Sequence, residues 1–184
     1  MPDRSKHPSR RELIAGLSAC ALPGLVAWPG SAALAANENT YDQDSILKAA
    51  VDFFGSTTEG LAKVIEKVFK EQGRPNAYIA GEEASAAITI GVRYGDGQLH
   101  LKAGGRRRVY WSGPSIGFDL GANASKVFTL VYHLPKADAI FERFPGVDGS
   151  LYYIGGAGVN YLRRGGVTLA PIRLGVGVRA GASV

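Results

Sequence analysis

One cysteine occurs in 184 residues, at position 20 near the N-terminus. A disulfide within one copy is therefore impossible, and past residue 36 a Cys-based metal site or thiol nucleophile is excluded. Histidine is nearly as scarce, with only His100 and His133 after residue 36. They fall on different strand patterns with no carboxylate cluster beside them, so neither a metal nor another cofactor is expected. Long apolar runs are missing too: residues 13–28 are the nearest approach, broken by Pro23 and Pro29 and too short for a membrane span. The formal charge is +5. Nothing in it forms the dense basic stripe of a nucleic-acid-binding surface, so no nucleic-acid partner is expected.

What is present begins with an address. Residues 3–12 are polar and basic, residues 13–28 moderately apolar, and Ala33-Leu34-Ala35 fits the small-x-small rule of signal peptidase. Residues 1–36 read as a signal peptide, with the mature chain starting near Ala36 or Asn37. Ser9-Arg10-Arg11-Glu12-Leu13-Ile14 matches the twin-arginine pattern, which suits cargo exported after folding. Leu17-Ser18-Ala19-Cys20 resembles a lipobox, which makes a lipoprotein anchored through Cys20 the minority alternative. A periplasmic location is expected, peripheral to the membrane at most.

Residues 37–184 read as a single domain, with helices over 45–72 and a β-barrel over 76–184. Asp44 or Ser45 is a candidate cap for a helix over 46–54, ended by Gly55. Ser56-Thr57-Thr58-Glu59 has the form of a capping box, and Leu61, Val64, Ile65, Val68 and Phe69 follow at helical spacing. From Asn76 the apolar period becomes two. Residues 88–94 and 99–103 alternate about Gly95-Asp96-Gly97, which predicts a hairpin there, and Gly104-Gly105 predicts the next turn. Residues 109–111, 116–120 and 127–134 supply further strands, and the last looks buried on both faces. A short helix is expected over 137–144. Strands then resume over 151–155, 157–162, 167–170 and 172–178, with turns at Arg163-Arg164-Gly165-Gly166 and Ala170-Pro171.

Eighteen of the 25 glycines lie in 91–184. Glycine inside a strand weakens it unless tight curvature is needed, and small barrels need it. The expected fold is mainly β (α+β). It is a small Gly-rich antiparallel barrel, closed or nearly closed, of about nine or ten strands. Two N-terminal helices pack on it and one short helix lies between strands.

Chemistry is thin. Gly113-Pro114-Ser115-Ile116-Gly117 formally matches the nucleophile elbow, but that elbow needs a strand-to-helix turn, and the residues after Ser115 alternate as a strand. Asp119 and His133 lie too close in sequence to make convincing triad partners. Glu82 and Glu83 point to opposite faces of a strand, which predicts a solvated strand end rather than an acid/base pair. Gly155-Gly156-Ala157-Gly158 opens no helix and is not a phosphate loop. Two binding features remain. Arg106-Arg107-Arg108 and Arg163-Arg164 flank Gly-Gly turns and would make a basic rim if both lay at one barrel mouth. Asp119, between Gly117 and Gly121 on its own face, is placed at solvent or inside the barrel near Tyr110, Trp111 or an arginine. The candidate ligand-binding residues are Tyr110, Trp111, Ser115, Asp119, Arg106, Arg107, Arg108, Arg163 and Arg164.

The chain resembles the alphaproteobacterial envelope integrity protein A family over about 40–184. The likeness rests on Tyr41-Asp42, Phe53-Phe54-Gly55, Gly73-Arg74-Pro75, Gly81-Glu82-Glu83, Val109-Tyr110-Trp111, Gly113-Pro114-Ser115-Ile116-Gly117-Phe118-Asp119, Arg143-Phe144-Pro145-Gly146 and Gly158-Val159-Asn160-Tyr161. It implies a small soluble periplasmic β-barrel needed for resistance to envelope stress, with no assigned enzymatic activity. Family members continue past the last strand into an aromatic-containing tail, while this chain stops at Val184. Closure by a final strand is left open. A partial likeness over 111–141 to SYLF-type lipid-binding domains implies an anionic lipid or lipid-linked glycan as partner. The expectation is a non-enzymatic support of the envelope, with a lipid- or glycan-binding module as alternative and a hydrolase using Ser115 behind it. Envelope proteins are the other expected partners.

Overall fold

The structure, a computed structural model, describes residues 39–175 except 57 and 120–124; the side chains of 85–91 and 115–119 are likewise outside the description. The signal-peptide reading, Cys20 and residues 176–178 of the last expected strand lie outside the described residues.

Helix α1 (Gln43–Phe54) begins one turn earlier than expected, because Asp42 is the better cap. Its carboxylate accepts from both the Ser45 backbone N–H and the Ser45 hydroxyl, each at 2.8 Å. Gly55, at φ +82°, closes the helix through an N–H to Val51 O. Helix α2 (Glu59–Gln72) is capped by Thr58, whose hydroxyl accepts from Leu61 N, rather than by Ser56. The apolar stripe of α2, Leu61, Val64, Ile65 and Val68, is fully buried.

Seven strands follow: β1 (Ala77–Leu101), β2 (Arg106–Asp119), β3 (Ser125–Tyr132), β4 (Tyr152–Ile154), β5 (Ala157–Val159), β6 (Leu162–Arg164) and β7 (Val167–Leu174). All pairings are antiparallel, in the order β2-β1-β3-β7-β5-β4 with β6 also on β7. Among the described residues, no hydrogen-bonded pairing joins the two ends of this sheet. Over the described residues the sheet is curled, without closure by its ladders.

Against the nine or ten strands expected, seven are found among the described residues, because three expected breaks are absent. Gly95-Asp96-Gly97 is no turn: it stays within β1, opposite Trp111, Tyr110 and Val109 of β2. Its glycines serve a close approach instead. A Cβ at Gly97 would sit 2.5 Å from Ala80 O and 2.7 Å from Gly81 Cα, and one at Gly95 would enter the Trp111 indole at 2.3 Å. A 25-residue strand would stretch about 80 Å if straight, yet Lys102 N donates to Asn76 O at 3.0 Å and the Tyr78 and His100 rings stack at 4.6 Å. β1 folds back on itself. Similarly, the runs 109–111 and 116–120 belong to one strand through Asp119. Pro171 does not break β7 either. On one edge β7 pairs β6 through Leu169 and β5 from Ile172, so the proline occupies a gap where no N–H is called for.

The Gly104-Gly105 turn is present, with φ of +98° and +99° and Gly104 N donating to Leu101 O. Gly165-Gly166 alone turns β6 into β7, leaving Arg163 and Arg164 in the strand. The helix expected over 137–144 is only a 3-10 turn, Ala137–Ile140. No side chain caps its start, and the Asp138 and Glu142 carboxylates are engaged by arginines of the sheet.

Two hydrophobic layers share the sheet. On one face, Phe128, Leu130, Tyr132, Val159, Ala170 and Ile172 meet the apolar sides of α1 and α2. On the other, Ala77, Ile79, Leu99, Val109, Val131, Val167 and Leu169 pack with Leu134 and Ile140 inside the curl. β3 contributes to both, which is why residues 127–132 are all buried, as the sequence pattern predicts.

Within the first layer the Tyr132 hydroxyl is fully buried and has no hydrogen-bond partner among the described residues. Burial drives its pKa far above the ordinary phenol value, with the neighbouring Tyr161 adding to the effect. An unsatisfied buried hydroxyl costs about 1–3 kcal/mol. Tyr132→Phe is therefore expected to stabilise the protein by about 1 kcal/mol in urea unfolding. A loss of stability would place an acceptor against that oxygen.

Candidate functional site

Alternation along β1 turns Glu82 to solvent and Glu83 inward, leaving the Glu83 side chain 7% exposed. The two-faced reading of this pair holds, but the solvated strand end does not: Glu83 is the anchor of a charge cluster. Arg173, on β7, donates Nε to Glu83 Oε1 at 2.6 Å and Nη2 to Oε2 at 3.1 Å. Arg93, further along β1, reaches Oε1 through Nη1 at 3.4 Å, and Trp111 Nε1 on β2 donates to Oε2 at 3.3 Å. Each carboxylate oxygen thus accepts twice, which uses its full acceptor capacity.

Burial alone would raise the Glu83 pKa. The Arg173 hydrogen bonds and charge, helped by Arg93 and Trp111, reverse this and hold the carboxyl below its ordinary value. A carboxylate with every lone pair engaged and a depressed pKa is a poor proton acceptor. It is a fixed counter-ion. Two guanidiniums share this one carboxylate.

Arg173 also faces a small cleft, open to solvent, lined by Leu151, Tyr153, Gly158, Val159 and Asn160. Its Nη1 donates to Asn160 Oδ1 at 3.2 Å, fixing the amide so that its NH₂ is left over. Leu151 and Tyr153 stand out from the surface, 60% and 49% exposed.

Of the candidate ligand-binding residues whose side chains are described, Trp111 alone joins this cluster through a hydrogen bond. The two arginine runs converge on one segment: Arg107 pairs with Asp138 at 2.5 Å and Arg164 with Glu142. Arg108 is bridged to Asp96 at 2.5 Å and lies over the exposed Tyr110 ring, 5.7 Å from its centroid. Arg163 donates to Thr168 Oγ1 at 3.1 Å. Arg106 lies opposite His100 in the ladder, and its charge adds to burial in lowering the His100 pKa. Ser115 and Asp119 pair with Gly91 and Ala87 inside the continuous β2, with side chains outside the described residues. His133 is exposed, at φ +57° just past β3. Among the described residues no cluster of His, Cys, Asp or Glu is suited to a metal, and no helix is long and apolar enough to cross a membrane.

Arg93, Arg173 and Asn160 were not site candidates in the sequence reading, and Glu83 entered it only as part of a solvated strand end. A usable signal was present: Arg173 sits between Ile172 and Leu174 in a strand enclosed by others, where a charge needs a partner. Few acids are available to it, since only five lie in 84–184.

The family description Envelope integrity protein A matches residues 39–184. The chain belongs to that family. A solved relative, a β-barrel-like uncharacterised protein from Brucella abortus, is 43% identical to this chain. The match covers 79% of this chain and 90% of that one, at a TM-score of 0.71. Among curated proteins no relative is found. An envelope integrity protein A domain is thus mainly an antiparallel, curled sheet carrying two helices, and its family name points to a role in envelope integrity.

Proposed function

We propose that this protein is a non-enzymatic, soluble periplasmic support of cell-envelope integrity and of resistance to envelope stress. Family membership over residues 39–184 carries the reading, joined by the signal-like segment at 1–36. Two structural features favour a role other than catalysis. The Glu83 carboxylate is saturated by its donors, and Gly113-Pro114-Ser115-Ile116-Gly117 runs through a strand instead of a strand-to-helix elbow.

In a strain lacking the gene, sensitivity to detergent and cell-wall antibiotics is expected to rise. The wild-type gene and variants S115A, D119N and H133A should each restore resistance, whereas a copy without residues 2–36 should not. Failure of S115A alone, at normal protein level, would revive the hydrolase. Rescue by the leaderless copy would overturn the periplasmic placement. A second reading, that the protein works by binding an anionic lipid or lipid-linked glycan, is favoured by the cleft beside Arg173, where the charged lining residue is a cation. Native mass spectrometry of the protein released directly from the periplasm tests it: a bound species of glycolipid mass supports it, and a bare chain counts against tight carriage.

A further inference from the structure

The lining of the Arg173 cleft is one-sided. It contains no acid, one guanidinium, one side-chain amide and an aromatic-aliphatic shelf. Arg173 has five N–H groups, of which two point to Glu83 and one to Asn160. The remaining two have no acceptor among the described residues. The bidentate grip of the buried Glu83 holds the guanidinium plane in place, so a second oxyanion meets donors already oriented. Asn160, locked with its oxygen toward Arg173, presents further N–H donors. Beside these donors the Tyr153 ring lies over Gly158, where a Cβ would sit 2.4 Å from the ring, and the exposed Leu151 extends the shelf.

We infer that this cleft is an oxyanion site for the headgroup of a glycan or lipid. A phosphate or carboxylate would sit on Arg173 and Asn160, with the attached sugar ring against Tyr153 and Leu151. The inference rests on the binding version of the proposed function and narrows it. The cleft is small and open to solvent, with no room for an acyl chain, so the lipid tail stays in the membrane.

The test uses the protein purified from cells after export, titrated with glucose 6-phosphate, glucuronate, inorganic phosphate and glucose. The Arg173 Nε–H resonance is followed by NMR, alongside co-sedimentation with phosphatidylglycerol or phosphatidylcholine vesicles. The charged sugars are expected to shift the Arg173 resonance and to bind at least tenfold tighter than glucose. Leu151→Glu, a change at an exposed position, should weaken them at least tenfold with an unchanged melting temperature. Binding of inorganic phosphate as tight as that of glucose 6-phosphate would overturn the role of the shelf, and with it the headgroup assignment. Anionic binding that survives Leu151→Glu but vanishes when Arg106, Arg107 and Arg108 become Gln would overturn this site while leaving the binding reading intact. No response to any probe or vesicle would sink both. Association with phosphatidylglycerol vesicles but with no soluble sugar would show that a bilayer, not a free glycan, supplies the anion.

Discussion

Replacing Glu83 by alanine is expected to lower the unfolding free energy by about 3–5 kcal/mol, the usual cost of stripping one partner from a buried ion pair. The effect is large because two guanidiniums lean on a single carboxylate and neither is well exposed: the side chains of Arg173 and Arg93 are 21% and 28% accessible. The alanine variant removes the carboxylate that both guanidiniums share. Acid has a related effect. Because the folded carboxyl has a depressed pKa, its contribution is fully present above the unfolded value near 4.5 and is lost as pH falls through the folded one. Urea midpoints measured from pH 7 down to pH 3 should therefore drop more steeply for the wild type than for E83A. Parallel acid limbs would show that Glu83 is not the group that titrates.

Gly97→Ala is the second severe change, expected to cost about 3 kcal/mol, at the upper end of what overpacking usually does. The added methyl would meet Ala80 O at 2.5 Å and Gly81 Cα at 2.7 Å. Both belong to backbone, which cannot swing away as a side-chain tip can. The two passes of β1 must separate, and Ile79 and Leu99 of the inner layer separate with them. Gly104→Ala provides the contrast. No atom lies within 4 Å of its Cβ position, so its cost comes only from a φ of +98°, about 1–2 kcal/mol. Chemical denaturation of the two variants side by side separates crowding from backbone strain, and equal losses would remove the close-approach account of Gly97.

The contrast between those glycines also explains which parts of the fold were legible in the sequence. Gly104-Gly105 and the helix ends act through local dihedral angles and caps, so neighbouring residues betray them. Gly97 acts through Ala80 and Gly81 on the earlier pass of a strand that doubles back, and Gly95 through Trp111 on the neighbouring strand; in sequence both imitate a turn. Val92 and Tyr94 mislead in the same way. Their alternation suggests the covered side of a strand, yet they are 46% and 65% exposed, while Arg93 between them turns inward toward Glu83. The arginine runs were visible as charge, but not the acids Asp138, Asp96 and Glu142 that meet them. Pro171 looked like a break because the gap it fills is created by where β5 and β6 end, and no local pattern records that.

The double burial of β3 has a consequence for how the domain holds together. Its even-numbered side chains, Phe128, Leu130 and Tyr132, complete the helical layer, and Val131 completes the inner one. The two layers have this wall in common, flanked by β1 and β7. Detaching the helices would bare one side of the wall to water, and opening the curl would bare the other. Either event weakens the strand on which the remaining layer depends, so the two layers melt as a single cooperative unit.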